Sequence, residues 1–158
     1  MNKKFNLTRL AIFSAFVVFM LLILAACQPA ENEPSEKPAR PSNAGGAGPA
    51  VGLTGDATKG AAIFKTNCVS CHGEEGKTGI PNPGSEDGTI PNLNPIDATM
   101  VSSDQKEFAT NIDLFIEHGS TPEGDKPTLK MLAFGDQKIL APQDIADVIA
   151  YITSLNKK

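Results

Sequence analysis

The chain of 158 residues has no tryptophan and a single tyrosine, and its other aromatic residues are eight phenylalanines. It also lacks an excess of positive charge. The net charge of −4 at pH 7 argues against a nucleic-acid-binding protein that relies on a basic surface. Only three cysteines and two histidines are present, so each of them needs its own explanation.

The first 27 residues have the layout of an export signal. Three basic residues lie within the first nine positions, and residues 10–26 carry no charge. The sequence LAAC at residues 24–27 resembles the lipobox of bacterial lipoproteins, in which the cysteine is acylated and becomes the mature N-terminus. We therefore expect residues 1–26 to be a signal peptide and Cys27 to carry lipid.

An uncleaved transmembrane anchor is the alternative interpretation of this segment. Its 17 uncharged residues lie at the lower edge of the length that spans a bilayer. Both interpretations place the rest of the chain outside the cytoplasm. We expect an exported protein that is held by Cys27 at the outer face of a bacterial cytoplasmic membrane, on the periplasmic or extracytoplasmic side.

A linker is predicted between this anchor and the folded part. Residues 28–55 contain five prolines, five glycines and five alanines but few large apolar side chains. Such a segment cannot bury enough apolar surface to fold by itself. The sequence therefore predicts a lipid-anchored flexible linker over residues 27–55 and one folded domain over residues 56–158.

Three helices are predicted in this domain from apolar periodicity and from residues that start or stop helices. Asp56 and Ser103 are the expected N-caps of the first two, Pro142 suits the first position of the third, and Gly119 is expected to stop the second. The predicted helices cover residues 57–71, 104–118 and 142–156.

The segment between the first two helices has no strand-like alternation. Residues 73–102 contain four prolines and five glycines. A loop of this length is unusual inside a small domain, and three helices provide little core for about a hundred residues. Both observations predict a large bound group around which the loop folds.

The sequence Cys68-Val69-Ser70-Cys71-His72 indicates what this group is. A disulfide between Cys68 and Cys71 would leave His72 unexplained. A redox dithiol belongs at the start of a helix after a strand, and this pair ends a helical pattern. Zinc would require further ligands. One covalent haem c fits: two thioethers form at the cysteines and His72 is an axial ligand of the iron.

A sixth ligand of the iron is expected downstream. Met100, Met131, His118 and several lysines are candidates by residue type. His118 precedes the helix-ending Gly119 and is more typical of a surface or capping residue.

The sequence around Met131 decides among these candidates by resemblance. The pattern KMLAFGD, followed by the helical sequence IADVIAYI, resembles the C-terminal part of class I mono-haem cytochromes c. The resemblance extends from Asp56 to the C-terminus. It implies an all-α class I cytochrome c fold, with three main helices and Pro/Gly-rich loops around one haem, and it implies Met131 as the second axial ligand. Leu132 departs from the family, which usually has proline there.

The resemblance also implies two packing features. In the family, a proline carbonyl after the haem motif accepts the Nδ1 proton of the ligating histidine; Pro91 matches, with Pro81 as a rival. A glycine and an aromatic residue of the first helix pack across the last helix, and Gly60, Phe64 and Tyr151 match them.

The function implied is single-electron transfer in a respiratory or photosynthetic chain rather than catalysis. His/Met ligation leaves no open position on the iron and raises its reduction potential. Redox partners would be a quinol-oxidising complex, a terminal oxidase or a reaction centre. One alternative is a fixed mono-haem subunit of a larger membrane oxidoreductase, such as the quinol-oxidising alternative complex III. A haem sensor or peroxidase-like enzyme would require Met131 to be displaced.

Overall fold

A computed structural model of the protein describes residues 45–157. The predicted signal peptide, Cys27 and the first part of the predicted linker lie outside the described residues. No helix among residues 45–157 has the length and apolar character needed to cross a membrane.

Four α-helices form the framework of the described part. They are α1 (Ala57–Asn67), α2 (Val69–His72), α3 (Gln105–His118) and α4 (Pro142–Leu155). Three short 3-10 helices lie at Pro49–Gly52, Glu74–Gly76 and Ala98–Met100. The three long helices confirm the elements predicted from periodicity.

Side-chain caps determine where α1 and α3 begin. Asp56 Oδ1 accepts hydrogen bonds from Thr58 N at 2.8 Å and Lys59 N at 3.3 Å, so the predicted cap of α1 is confirmed. The cap of α3 is Asp104, which accepts from the two amides that follow its neighbour Gln105. The prediction of Ser103 was wrong by one residue, because the carboxylate of Asp104 reaches these amides.

The predicted first helix is interrupted at Cys68, which separates α1 from α2. Two side chains just before the break bond to carbonyls one turn back: Thr66 Oγ1 to Ala62 O at 3.1 Å and Asn67 Nδ2 to Ile63 O at 3.0 Å. Such back-bonding bends helices. The break leaves α2 as a separate turn that carries Cys71 and His72.

The helices α1 and α4 pack closely against each other through a glycine. A Cβ atom at Gly60 would collide with the backbone carbonyl of Asp147 in α4. One turn further along α1, Phe64 lies against Tyr151, with ring centroids 5.3 Å apart and planes inclined by 59°. These are the contacts that the resemblance implied, and they bury Phe64 almost completely.

The long loop after α2 contains no strand. Within the described residues, β-type pairing is limited to the isolated bridges Pro81–Thr89, Leu93–Ile96 and Ser120–Met131. The predicted all-α fold is therefore confirmed for residues 45–157.

Residues 45–52, which we call the strap, lie against α3. Gly48 N donates to Asp113 Oδ2 at 2.6 Å, and Ala50 is buried with only 2 % of its surface exposed. The linker predicted over residues 27–55 is therefore corrected at its C-terminal end. Its composition hid this packing, because backbone groups and one small alanine make the contacts instead of large apolar side chains.

Candidate functional site

The two thiols and the imidazole of the CVSCH sequence are brought together by α2. Cys68 is the residue at the break, and Cys71 N donates to Cys68 O at 3.1 Å while His72 N donates to the same oxygen at 2.9 Å. Both cysteines are free thiols and half-buried. Among residues 45–157, no three His, Cys, Asp or Glu side chains are arranged to hold a metal ion, as a zinc site would need.

Cys68 does not have the acidity of a reactive redox thiol. Burial, with a smaller contribution from Cys71, raises the pKa of the Cys68 thiol to about 12. Reactive dithiols work in the opposite way, with a cysteine whose pKa is depressed so that the thiolate forms at neutral pH. The redox-dithiol interpretation therefore has no support at this site.

The ring of His72 is oriented by a backbone carbonyl. Its Nδ1 lies 3.0 Å from Pro91 O. A carbonyl oxygen only accepts hydrogen bonds, so Nδ1 must carry the proton, and the lone pair lies on Nε2. The rival Pro81 lies instead in the bridge with Thr89.

The protonation state of His72 suits a metal ligand. Burial lowers the pKa of His72, and the hydrogen bond to Pro91 offsets part of this effect. Only the neutral imidazole has a lone pair available for a metal. The ring is therefore held neutral, with its free nitrogen fixed in direction.

Met131 lies in the segment that returns from α3 to α4. Its backbone pairs with Ser120, with Met131 N to Ser120 O at 2.9 Å and Ser120 N to Met131 O at 3.2 Å. The side chain is half-buried and packs against the same apolar core as Cys68. Gly119, with φ of 69°, ends α3 as predicted and allows the Met131 backbone to approach.

Two of the other sixth-ligand candidates, Met100 and His118, have different roles in the fold. Met100 is buried in the core at 8 % exposure, and its carbonyl accepts from Asn111 Nδ2 at 3.0 Å. His118 bonds through Nδ1 to Asp136 and through Nε2 to Gly46 O, so both ring nitrogens are occupied.

Two residues that support the site were not identified from the sequence. Ser120 pairs with Met131, and Asn156 bonds to the loop that follows Pro91. Ser120 acts through its backbone, which leaves no signal in residue type. Asn156 lies 63 residues from its partner Leu93.

A family model described as Cytochrome c matches residues 57–156. This chain belongs to the cytochrome c family. The match covers α1 to α4, and the predicted class I cytochrome c fold is therefore confirmed.

Relatives at full length support this assignment. A cytochrome c of Arabidopsis thaliana is 33% identical over 114 residues, which are 68% of this chain and 96% of that protein. A cytochrome c of Cochliobolus lunatus is 34% identical over 110 residues, which are 65% of this chain and 95% of that protein.

A third relative matches over only part of its own length. The cbb3-type cytochrome c oxidase subunit FixP of Rhizobium meliloti (strain 1021) is 33% identical over 100 residues, which are 62% of this chain and 29% of FixP. No solved structure matches the chain at a comparable level.

Membership of the cytochrome c family implies a covalently bound haem c and an electron carrier. The described residues fit that group. Two free thiols lie next to a neutral imidazole whose Nδ1 proton is held by Pro91 O, so that Nε2 can bind iron. This donor set is the one that thioether formation and axial ligation require.

Proposed function

We propose that this cytochrome c carries single electrons with one haem c, bound through Cys68 and Cys71 and ligated by His72 and Met131. The observation that carries the proposal is the 3.0 Å contact of His72 Nδ1 with Pro91 O, directly after two free thiols. It fixes the tautomer that an axial histidine needs. The packing of Met131 against the core that Cys68 also contacts supports its role as the second ligand.

The residues of the chain would divide the work as follows. When bound, haem c supplies an iron that alternates between the ferric and ferrous states. Cys68 and Cys71 would hold the macrocycle, and His72 and Met131 would supply two protein ligands to its iron. An iron held by two protein ligands would favour electron transfer over chemistry on a substrate.

The location that we propose is the outer face of a bacterial cytoplasmic membrane, with lipid on Cys27 as the anchor. The basic start of the chain, the uncharged residues 10–26 and the LAAC sequence support it. Tethering replaces a search in solution by a local search. Partners would be a quinol-oxidising complex, a terminal oxidase or a reaction centre.

A second candidate function is that of a fixed haem subunit in a larger membrane oxidoreductase, such as an alternative complex III. The similarity to FixP, named as an oxidase subunit, favours such an assembly. Solubilisation of native membranes in mild detergent separates the two candidates. A free carrier elutes alone with its haem, whereas a subunit elutes with other polypeptides in fixed proportion.

Covalent attachment tests the proposed cofactor. The protein exported with haem available should retain its haem stain and absorbance after denaturation, because thioether bonds survive unfolding. The double variant Cys68→Ala/Cys71→Ala should lose both signals. Ser70→Ala is the matched control, since this exposed side chain lies between the two thiols, and it should leave them unchanged. Release of haem from the denatured wild type into acidic organic solvent would overturn the proposal.

A further inference from the structure

The Pro91 carbonyl that orients His72 belongs to a residue with no amide hydrogen of its own. Proline cannot donate a backbone hydrogen bond, so its neighbours must hold it in place. Ile90 N donates to Ile80 O at 2.8 Å, and Leu93 N donates to Gly76 O at 2.8 Å. These bonds attach both sides of Pro91 to the loop that follows His72.

The turn immediately after Pro91 is held from a different part of the chain. Leu93 and Ile96 face each other in an isolated bridge. Asn156, which ends α4, bonds to both: its Oδ1 accepts from Ile96 N at 2.9 Å and its Nδ2 donates to Leu93 O at 2.8 Å. One amide side chain thus closes the base of this turn.

The side chain of Asn156 is itself fixed in orientation. Its Nδ2 also donates to Ile152 O, one turn back in α4, at 2.9 Å. Both the oxygen and the nitrogen of the amide are therefore hydrogen-bonded, and Ile152 is buried in the core between the helices. The position of the turn is therefore fixed relative to the C-terminal end of α4.

We propose that Asn156 is a positioning residue for the haem ligand His72, because it holds the Leu93–Ile96 turn that keeps the Pro91 carbonyl on His72 Nδ1. The inference rests on the proposed function of His72 as an axial ligand. According to this proposal, Asn156 at the end of the last helix influences the iron through the Leu93–Ile96 turn and the Pro91 carbonyl, without touching the iron itself. A hydrogen bond to Nδ1 makes an imidazole a stronger ligand, so its loss weakens stabilisation of the ferric state.

The test uses the haem-loaded protein with Asn156→Leu, a change of similar size that removes all three side-chain hydrogen bonds. Two quantities are measured: the exchange rate of the His72 Nδ1 proton with solvent, by NMR of the ferrous state, and the reduction potential. The exchange should become about tenfold faster, since two loop contacts of ordinary strength are lost. The potential should rise.

Ser154→Ala is the matched control. Ser154 lies in the last turn of α4, and its Oγ bonds to Tyr151 O at 2.6 Å without touching the turn after Pro91. This variant loses a hydrogen bond at the same helix end, so it should change stability only. An unchanged exchange rate and an unchanged reduction potential in Asn156→Leu would overturn the proposal, even if that variant melts at a lower temperature. Asn156 would then act only as a helix cap.

Asn156→Asp provides the test if the leucine variant does not fold. An aspartate keeps an acceptor for Ile96 N but loses the donor to Leu93 O, so a smaller acceleration in the same direction is expected. An exchange rate equal to that of the wild type would again overturn the proposal. Failure of the proposed function is distinguished beforehand, because the wild type would then show no covalent haem and no haem-shifted His72 resonance.

Discussion

Two methionines that are both candidates for the sixth ligand have different environments in the fold. Met131 is half-buried beside the core and is held through its backbone by Ser120. Met100 is buried at 8 % exposure under α3, where apolar neighbours surround it. Because a ligand must reach the iron while a core residue only fills space, the two side chains are expected to respond differently to truncation.

Met131→Ala should abolish the weak near-infrared band that sulfur-to-iron charge transfer gives in the oxidised protein, and should lower the reduction potential. Met100→Ala should leave the band in place and lower the free energy of unfolding by about 2–5 kcal/mol, as expected for a large-to-small change in a core. Near-infrared absorption and denaturant unfolding measure the two effects. Loss of the band in Met100→Ala alone would exchange the two assignments.

Local residue patterns could predict the thiols and His72, because their chemistry lies within five consecutive positions. The Pro91 contact came from a family resemblance and could not be worked out from spacing, since nineteen residues separate it from His72. Nothing in the sequence indicated that Asn156 supports the site. Its amide is one of many polar groups near a helix end, and only the folded chain brings it to Leu93 and Ile96.

Helix packing in this fold depends on one glycine at the crossing of α1 and α4. The neighbouring atoms at Gly60 are backbone atoms of Asp147, which cannot move aside as a flexible side chain would. An added methyl group must therefore separate the two helices.

Gly60→Ala should destabilise the protein by about 3 kcal/mol or more, despite the better helix propensity of alanine. Gly52→Ala is a suitable control, because a Cβ at this position meets no atom within 4 Å. It should change the stability by less than about 0.5 kcal/mol. Denaturant unfolding of both variants gives the comparison, and equal stabilities would contradict the close helix contact.

The strap is attached to α3 by a group of ionisable side chains. His118 faces only acceptors, with Nδ1 at 2.8 Å from Asp136 Oδ2 and Nε2 at 2.7 Å from Gly46 O, so both contacts are satisfied only by the imidazolium. The hydrogen bond with Asp136 is the first cause that raises the pKa of His118, and Gly46 adds to it. Burial raises the pKa of the neighbouring Asp113 and Glu117 carboxyls.

Because all three pKa values are raised, each of these groups makes the attachment of the strap weaker as the pH rises. A group whose pKa is raised in the folded state stabilises it below the ordinary pKa and loses that effect as the pH rises through the raised value. For His118 this range begins at its ordinary value of about 6.5. The exchange protection of the Gly48 amide, which bonds to Asp113, should therefore fall as the pH rises above about 6.5.

Hydrogen exchange of Gly48, corrected for the intrinsic effect of pH, checks this expectation. His118→Gln should remove most of the pH dependence in that range, since its side chain does not titrate. Asp136→Asn should move the loss of protection to lower pH, because the main cause of the raised pKa is removed. Constant protection across the range would show that the strap does not depend on the imidazolium.

The long helices were predictable because each carries apolar residues at helical spacing and a signal at its start, which is a capping side chain for α1 and α3 and Pro142 for α4. The error at the start of α3 was a single residue. The break at Cys68 was not predicted, since back-bonding by Thr66 and Asn67 is visible only in the folded chain. The strap was assigned to the linker because its residues have small side chains. Its contacts involve backbone groups and the distant His118.

At the scale of the whole molecule, the cytochrome c domain of residues 57–156 is preceded by a segment whose sequence predicts export and anchorage. The domain from residue 56 onward has fifteen acidic and nine basic residues, a net charge of −6 before haem is added. Attraction to an anionic membrane is therefore not expected to hold it in place. The proposed lipid on Cys27 would supply that attachment.

Cys27→Ser should leave a precursor of full length that retains the signal segment, because the acylated thiol is the substrate feature that lipoprotein processing requires. Mass spectrometry of the N-terminal peptide shows, in the wild type and in the variant, whether the signal segment is retained and whether residue 27 is acylated. Ala25→Gly is a mild control that keeps the small-residue pattern before Cys27. An unmodified Cys27 in an intact wild-type N-terminus would favour the uncleaved transmembrane anchor.

The docked strap also sets the volume in which a tethered domain would search for its partner. With the strap held on the domain, only the 18 residues 27–44 of the predicted linker remain between Cys27 and the strap, instead of the 26 residues 27–52. The root-mean-square reach of a flexible linker would fall from about 28 Å to about 23 Å. Since effective concentration varies as about the −3/2 power of tether length, docking would raise the encounter rate near the membrane by about 1.7-fold, and release of the strap at high pH would reverse that gain.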